Sequence, residues 1–386
     1  MTRRRLTILF SGMIAGVPYQ GGATWAVLQY LLGLRELGHE VLFVEPVSPV
    51  ALRPAHVPFS ATENAVYFGE VCSNFDLRDA ALILSETHET VGLPYNHIAA
   101  VARRADFLIN VAGMLTDEEL IGGIPVRLYL DLDPAFTQLW QAVQSINMRF
   151  AGHTHFATVG LAIGHPMCPV PTCGRDWITT PQPIVLREWP VANGIAGGAL
   201  TTVANWRGYG SVEHDGVLYG QKAHSLRLFF SLPTRTDERF ELALAIHPDE
   251  RDDLGALRAN GWRLLDPAEV VAMPDQYQQF IQGSKAEFGV AKSGYVASRC
   301  GWFSDRSVCY LASGRPVIAQ ETGFSQFLPA GAGLLVFNTA DDVLTAVDAL
   351  RSDYPRHARA ARQIAEDVFD AGNVLPRLLS EIGVAG

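Results

Sequence analysis

Residues 6–46 read LTILFSGMIAGVPYQGGATWAVLQYLLGLRELGHEVLFVEP, and this stretch decides the fold. The apolar run at 6–10 is typical of a strand inside a parallel sheet. Apolar residues then recur at helical spacing, and Gly38 stands where a left-handed helix cap belongs. A second apolar run follows at 39–46. A strand, a helix and a strand in this order predict a right-handed crossover within one parallel sheet.

The same alternation continues along the chain of 386 residues, which favours two α/β domains. In the first half it predicts strands at 81–86, 106–113 and 126–134 and a helix near 96–104. In the second half it predicts strands at 199–206, 240–247, 261–266, 286–292 and 315–320 and helices at 221–230, 275–284, 305–313, 341–351 and 356–382. Segment 165–200 is rich in proline and glycine, so we place the hinge in its later part.

Charge and composition narrow the classes of function. The formal net charge is −10, so a broad basic surface for nucleic acid is not expected. No run approaches the ~20 apolar residues that cross a bilayer, so no transmembrane segment is expected. Arginines before the first apolar run imitate a signal peptide, but the strand, loop and helix pattern favours a buried strand there.

The five cysteines are interpreted as reduced thiols. Their number is odd, and the spacing of Cys168 and Cys173 is that of neither a redox motif nor a zinc motif. Reduced thiols are typical of the cytoplasm, where we expect this protein to be located. Neither a metal nor a cofactor is expected.

A nicotinamide-dependent dehydrogenase would also have Rossmann-like domains. Glu45 ends the second strand at a spacing that suits a ribose contact. However, the first loop lacks the GxGxxG sequence that binds the dinucleotide, which weakens this alternative.

Two segments resemble nucleotide-sugar glycosyltransferases of the GT-B fold. The first, PYQGGATWAVLQYLLGLRELGHEVLFVEP at 18–46, has the loop, paired glycines, long helix and Leu-x-x-x-Gly-His-x-Val of that family. The second, AEFGVAKSGYVASRCGWFSDRSVCYLASGRPVIAQETGF at 286–324, is similar to its donor-binding strip. The resemblance implies two Rossmann-like domains facing each other across a cleft, with a C-terminal helix returning to the first domain.

The expected domains follow from this resemblance and from the hinge. Residues 1–188 are expected to form the N-terminal, acceptor-binding domain, and residues 189–352 the C-terminal domain that binds a nucleoside-diphosphate sugar. Residues 353–386 are expected to hold the helix that packs back towards the N-terminal domain.

The resemblance also indicates donor-binding residues. Gly21 and Gly22 permit close approach of a ligand to the first helix. Ser304 predicts an N-cap for helix 305–313, whose free N–H groups would face a diphosphate. We expect Lys285 to face solvent. The predicted donor-binding residues are Arg207, Lys222, Lys292, Ser304, Asp305, Arg306, Ser307, Glu321, Thr322 and Gly323.

The donor strip departs from the family pattern at one important point. Many retaining members carry two glutamates eight positions apart, and Gly301 and Cys309 stand at those places here. Asp305, Glu287 and Glu321 are candidates to replace them. The separation of Arg207 and Lys222 is also longer than usual, which implies an insertion.

Catalytic candidates of the N-terminal domain are Asp133, His155 and Asp131. Asp131 and Asp133 alternate along the predicted strand 126–134, so both would point to one face. His155 follows His153 with the same alternation. An Asp-Pro turn and a core histidine are the structural alternatives.

The function that this resemblance implies is metal-independent transfer of a sugar from a nucleoside-diphosphate donor to an unidentified acceptor. The paired glycines favour retention of the anomeric configuration, and inversion with Asp133 or His155 as base stays open. There are two alternatives. One is a non-catalytic nucleotide-sugar or glycan-binding homologue, which the missing glutamates favour. The other is a nucleotide-sugar 2-epimerase.

Overall fold

The computed structural model describes residues 4–193, 195 and 197–384. The described residues exclude 194 and 196, which belong to the predicted hinge. They also exclude 1–3 at the start of the predicted N-terminal domain and 385–386 at the end of the predicted C-terminal helix. Two separate parallel sheets organise the chain, one over 7–179 and the other over 200–337. These sheets confirm the expected pair of α/β domains, whereas the boundary at 188 stays a prediction.

The N-terminal sheet has the strand order β4-β3-β2-β1-β5-β6-β7-β8, and only the short β4 is antiparallel to its neighbour. Its strands are β1 (Thr7–Ser11), β2 (Glu40–Val47), β3 (Ala80–Leu84), β4 (Thr90–Gly92), β5 (Phe107–Val111), β6 (Val126–Asp131), β7 (His155–Thr158) and β8 (Trp177–Thr179). The strand order reverses beside β1, which places a crevice at the carboxyl end of this strand.

The C-terminal sheet is parallel throughout, with the order β13-β12-β9-β14-β15-β16. A separate antiparallel hairpin is formed by β10 and β11. The strands of this half are β9 (Leu200–Asn205), β10 (Val212–His214), β11 (Val217–Tyr219), β12 (Phe240–Ala245), β13 (Arg263–Leu265), β14 (Ala286–Gly289), β15 (Val317–Gln320) and β16 (Leu334–Phe337).

Helices cover the faces of both sheets and supply most of the remaining core. They are α1 (Gly21–Glu36), α2 (Glu63–Asn74), α3 (Tyr95–Ala102), α4 (Glu118–Ile121), α5 (Phe136–Ala142), α6 (Lys222–Leu226), α7 (Arg251–Ala259), α8 (Pro267–Val270), α9 (Pro274–Gln282), α10 (Ser293–Ser298), α11 (Asp305–Ala312), α12 (Ala340–Ser352), α13 (Tyr354–Ile364) and α14 (Ala371–Glu381). Within the described residues no helix has the length and apolarity needed to span a membrane.

The opening unit β1-α1-β2 is confirmed. Gly38 has a φ of 87°, so it adopts the left-handed conformation that ends helices and that glycine tolerates best. Strands β1 and β2 pair in parallel register from Thr7 opposite Glu40 to Ser11 opposite Val44. Both strands are almost completely buried, which explains their continuous apolar sequence.

Several predicted elements are wrong in their extent: strand 286–292 ends at Gly289, and helix 221–230 is α-helical only over Lys222–Leu226. Strand β6 ends at Asp131, so Asp133 lies in the following turn and does not share a strand face with Asp131. The helix predicted over 356–382 is broken at Asp370, which has extended backbone angles and caps α14 with its carboxylate. The break occurs because the backbone of Phe369 and Ala371 bonds to Ile184 at the edge of the N-terminal domain.

The C-terminal helix returns to the first domain, as expected. Helix α14 packs against α1, and at Gly33 an added Cβ would lie 2.6 Å from a methyl carbon of Leu375 and 2.9 Å from the Cβ of Ala371. The small residue thus allows the two helices to approach closely. The chain therefore crosses between the domains twice, once after β8 and once before α14.

Candidate active site

A cleft of about 1280 Å³ lies between the carboxyl edges of the two sheets. The N-terminal domain contributes the start of α1 and the turn between β6 and α5. The C-terminal domain contributes the ends of β9 and β12 and the starts of α6 and α11. Ligands of parallel α/β sheets bind at such carboxyl edges, so this cleft is the candidate active site.

Glu45 holds the loop that enters the cleft after β1. It is fully buried, and its carboxylate accepts hydrogen bonds from the backbone N–H groups of Ile14 at 2.8 Å, Ala15 at 2.9 Å and Gly16 at 2.6 Å. Burial raises the pKa of Glu45 to about 7, while the three N–H donors oppose that shift. Glu45 therefore anchors a backbone loop. This structural role explains the acidic residue near the end of β2, and a bound dinucleotide is not needed to explain it.

The paired glycines lie on the wall of the cleft, and the C-terminal domain packs directly against them. The N–H of Gly21 donates to the carbonyl of Val271 at 3.2 Å. A Cβ at Gly21 would lie 2.5 Å from the carbonyl oxygen of Met273, and one at Gly22 would lie 2.7 Å from the ring of Tyr277. The close contact between the domains therefore requires glycine at positions 21 and 22. The sequence did not indicate this reason for the paired glycines.

The substitution Gly21→Ala is expected to separate the domains at this end of the cleft. The obstructing atom belongs to the backbone, so it cannot move aside as a side chain would. We expect a larger radius of gyration in small-angle X-ray scattering and a lower melting temperature.

The matched control is Gly69→Ala within α2, where an added Cβ meets nothing within 4 Å. This control is expected to stabilise the helix by ~1 kcal/mol. An unchanged radius of gyration for Gly21→Ala would contradict the proposed interdomain contact.

Asp131 lies on the cleft wall with all of its hydrogen-bonding capacity in use. Its oxygens accept from the backbone N–H of Asp133 at 3.0 Å and from the side chains of Thr137 at 2.7 Å, Gln138 at 2.9 Å and Thr158 at 2.8 Å. Burial raises the pKa of Asp131, and these donors oppose the shift. Asp131 therefore shapes the turn after β6, and its role in the reaction stays a prediction.

Asp133 joins the two domains through a polar cluster. Lys292 of the C-terminal domain lies 3.3 Å from both of its carboxylate oxygens. Tyr209 donates a hydrogen bond to Asp133 at 2.6 Å, and Tyr295 donates to the other carboxylate oxygen. Burial raises the pKa of both tyrosines, so their hydroxyls remain donors. Burial lowers the pKa of Lys292, and the nearby Asp133 carboxylate opposes this.

Lys222 and Arg306 line the opposite, C-terminal wall. Lys222 is 8% exposed, and its ammonium donates to the carbonyl of Val290 at 2.7 Å. Arg306 pairs with the fully buried Glu287 at 2.6 Å and donates to the carbonyl of Val203 at 2.9 Å. Burial lowers the pKa of Lys222 well below its usual range, and the neighbouring Arg306 lowers it further. The carboxylates of Glu287 and Asp305 oppose this shift, but the Lys222 ammonium forms its hydrogen bond with a carbonyl oxygen and with neither carboxylate.

Helix α11 begins at this wall. The Ser304 hydroxyl accepts from the N–H of Arg306 at 3.2 Å, which confirms the predicted N-cap. Asp305 also lines the cleft, and burial raises the pKa of its carboxyl group. Ser307 is buried in the helix and lies outside the cleft wall.

Several predicted site residues lie elsewhere in the structure. Arg207 is outside the cleft wall and pairs with Glu250. Glu321, Thr322 and Gly323 are also outside it, because they brace their own loop: Glu321 accepts from the N–H of Gly323, and Thr322 donates to the carbonyl of Trp302 at 2.5 Å.

The positions of His155 and Lys285 also differ from expectation. His155 begins β7, so it lies at the amino edge of the sheet, opposite the carboxyl edge that faces the cleft. His155 therefore lies away from the cleft that holds the other candidate catalytic residues. Lys285 was expected to face solvent but is 6% exposed and pairs with Glu238 at 2.6 Å.

The structure explains why the strip lacks the first glutamate. Gly301 has a φ of 76°, and a Cβ there would lie 2.7 Å from the backbone nitrogen of Ala162. The N–H of Ala162 donates to the carbonyl of Cys300 at 3.0 Å, so a loop of the N-terminal domain occupies this place. Cys309, at the second glutamate position, is buried.

Several aromatic residues of the cleft were missed by sequence reasoning. Tyr209, Tyr295 and Trp302 all line the cleft. Tyr209 lies in the predicted insertion before Lys222, and that unusual separation was the one signal that could have indicated it. Tyr295 and Trp302 lie within the strip 286–324, where their aromatic character alone is equally compatible with packing.

Comparison with known proteins defines the fold. No family model matches this chain, and no curated protein matches it. Among solved structures, an alpha-glucosyltransferase in complex with UDP-glucose and DNA containing an abasic site is 11% identical, with a TM-score of 0.59 over 98% of this chain and 99% of that chain. Sucrose-phosphate synthase from Thermosynechococcus elongatus is 11% identical, with a TM-score of 0.57 over 98% and 99% of the two chains. HepE from Anabaena, in complex with UDP and glucose, is 11% identical, with a TM-score of 0.60 over 98% and 99%. The chain therefore has the GT-B fold of these glycosyltransferases.

Proposed function

We propose that this chain is a glycosyltransferase that moves a sugar from a nucleoside-diphosphate donor to an acceptor bound against the N-terminal domain. The observation that carries the proposal is the buried Lys222 ammonium on the cleft wall, whose hydrogen bond goes to the carbonyl of Val290 and not to a carboxylate. A buried cation without a charge partner of its own is costly, so a site that keeps one is built for an anionic ligand. The UDP-bound structures of the same fold support a nucleotide as that ligand.

The proposed reaction breaks the bond between the anomeric carbon and the diphosphate oxygen. The electron pair leaves with the diphosphate, where Lys222 and Arg306 stabilise the developing negative charge. The acceptor oxygen forms the new bond to the anomeric carbon, and its proton passes to the departing diphosphate. We assign Asp133 to orienting the acceptor hydroxyl, because its side chain is partly exposed on the cleft wall, whereas Asp131 is buried. Attack on the face that the diphosphate leaves retains the anomeric configuration.

Calorimetry with UDP, GDP, ADP and dTDP tests the donor assignment. We expect one diphosphate to bind much more tightly than its nucleoside, because the cationic wall recognises the phosphates. The corresponding nucleotide sugar is then expected to release free diphosphate slowly in the absence of acceptor. Equal affinity for nucleoside and diphosphate, or no binding at all, would overturn the proposal.

Metal independence gives a separate prediction. The side chains of Lys222 and Arg306 supply positive charge at the proposed leaving group, so turnover is expected to stay within twofold of its starting value after excess EDTA is added. Release of diphosphate from the nucleotide sugar provides the readout. A loss that added Mg²⁺ restores would contradict this part of the proposal. The product's anomeric configuration, measured by NMR, tests retention in the same reaction.

A nucleotide-sugar-binding homologue without activity is the second candidate. It is favoured by Gly301, where the N-terminal loop leaves no space for a carboxylate side chain. Diphosphate binding without any release from the nucleotide sugar during an extended incubation would favour this candidate over the enzyme.

A further inference from the structure

The hairpin β10-β11 carries part of the C-terminal domain onto the N-terminal domain. It lies in the insertion between Arg207 and Lys222, and β10 packs against α5. Val212 and Tyr219 of the hairpin are buried in one apolar cluster with Phe136 of α5. This packing fixes the segment that precedes the hairpin and places Tyr209 inside the cleft.

Tyr209 belongs to a continuous strip of aromatic rings along the cleft. We define this aromatic strip as Trp140, Tyr209, Phe136, Tyr295 and Trp302. Adjacent ring centroids lie 4.7 Å apart for Trp140 and Tyr209, 4.8 Å for Tyr209 and Phe136, 5.6 Å for Phe136 and Tyr295, and 4.3 Å for Tyr295 and Trp302. The outer members Trp140, Tyr209 and Trp302 are partly exposed and line the cleft.

Charged groups are embedded in this apolar surface. Asp133 accepts hydrogen bonds from Tyr209 and Tyr295 within the aromatic strip, and Lys292 lies over the ring of Tyr209 at 4.2 Å from its centroid. A ligand on the exposed part of the strip therefore meets the rings of Trp140 and Tyr209, which lie at 76° to each other, and, at the same place, a carboxylate and an ammonium. A pyranose ring has this combination, because it presents C–H groups on its faces and hydroxyls around its rim.

Other classes of acceptor fit this surface less well. An alkyl chain would cover Asp133 and Lys292 without offering them hydrogen bonds, which is energetically costly. A nucleic acid would need cations for its phosphates, and Arg53 is the one Lys or Arg that the described N-terminal domain contributes to the cleft wall.

We propose that the acceptor is a carbohydrate whose pyranose ring packs on Trp140 and Tyr209 while one hydroxyl binds Asp133. The assignment rests on the proposed function, since it identifies the acceptor class of the same cleft. In this arrangement the ring of Tyr209 provides binding surface, and its hydroxyl holds Asp133 in position. The hairpin is thus part of the acceptor site.

Saturation-transfer difference NMR on the full chain tests the assignment. The probes are methyl glycosides of glucose, galactose, mannose and rhamnose, with 4-nitrophenol, octanol and a short DNA duplex for comparison. The nucleoside diphosphate that binds best is present at saturation. We expect ring C–H protons of at least one glycoside to be saturated and the comparison compounds to remain silent.

Variants locate the binding surface. Trp140→Ala and Tyr209→Ala are each expected to weaken glycoside binding roughly tenfold. Phe327→Ala is the matched control, since Phe327 is 43% exposed and lies outside the cleft wall, and it should change nothing. Trp140→Tyr keeps an aromatic ring and replaces the alanine variant if that variant does not fold. Tyr209→Phe should preserve KM for the acceptor and lower kcat, because the ring remains while the hydroxyl contacts to Asp133 and Lys292 are lost.

The outcomes separate the acceptor assignment from the proposed function. Diphosphate binding without binding of any glycoside overturns the carbohydrate assignment alone, as does glycoside binding that Trp140→Ala and Tyr209→Ala leave unchanged. Binding of 4-nitrophenol, octanol or DNA in place of the glycosides does the same. Absence of binding by every nucleoside diphosphate overturns the proposed function itself.

Discussion

The variant Lys222→Met is expected to lose nucleoside-diphosphate binding while the free protein becomes no less stable. Methionine keeps the length of the side chain and removes the charge. Loss of hydrogen bonds from a charged group should weaken diphosphate binding by about 1.5–3 kcal/mol. Turnover should fall ~100- to 1000-fold, as when one electrostatic contact to a developing charge is removed. Isothermal calorimetry and steady-state kinetics provide the two measurements.

The expected effect on stability has the opposite sign. Burial lowers the pKa of Lys222 well below its value of 10.5 in the unfolded chain. Between these two pKa values the unfolded chain binds more protons, so this residue makes the free energy of unfolding rise with pH in that window. At pH values below this window the buried ammonium is a cost that methionine removes. The variant should therefore unfold at an equal or higher temperature and lack this part of the pH dependence.

Lys285→Met is the matched control. Lys285 is also a buried lysine of the C-terminal domain, but it pairs with Glu238 and lies outside the cleft wall. Removal of the ammonium should lower stability, although Arg351, at 3.4 Å, remains as a second partner of Glu238. Diphosphate affinity of the folded fraction should not change. If both variants weakened diphosphate binding equally, Lys222 would have no special place in the donor site.

The variant Glu45→Ala is expected to destabilise the N-terminal domain strongly. It leaves the backbone N–H groups of Ile14, Ala15 and Gly16 buried without their acceptor. Each unsatisfied group costs ~1–3 kcal/mol, so the total should reach several kcal/mol. Denaturant unfolding followed by circular dichroism measures this loss. Turnover should fall as well, since the chain continues from this loop to Val17 on the cleft wall.

The same residue has an expected pH signature. The pKa of Glu45 rises from 4.5 to about 7 on folding, so between these values the folded state binds more protons than the unfolded state. The contribution of Glu45 to stability is therefore full below pH 4.5 and lost as pH rises through about 7. Glu45→Gln, which keeps the shape without titrating, should lack this decline and serves as the comparison. An identical pH profile for Glu45→Gln and the unmodified protein would contradict the assignment.

Local sequence predicted the elements whose signals are local. The strand–helix–strand unit at 6–46, the cap at Gly38 and the N-cap at Ser304 each depend on neighbouring residues, and the structure confirms them. The cationic wall was predicted in part, since the resemblance indicated Lys222 and the first turn of the predicted helix 305–313 contained Arg306. The GT-B fold was accessible from the resemblance of two short segments.

What the sequence could not indicate is how the domains meet. The prediction for Lys285 was wrong because this residue pairs with a buried acid, Glu238, that is 47 residues away in the sequence. The prediction for His155 was wrong because this residue begins a strand at the edge of the sheet that faces away from the cleft. The cluster of Asp133 and Lys292 joins residues that are 159 positions apart. No periodicity within a window of 10 to 20 residues carries such information, since it arises from the docking of two folded domains.

Gly301 also limits which sequence patterns can recognise this chain. Because a Cβ at this position would lie 2.7 Å from the backbone nitrogen of Ala162, a glutamate there requires the N-terminal loop to move. A search pattern that demands both glutamates of the strip will therefore pass over this chain, although the chain has the same architecture as the glycosyltransferases that it resembles.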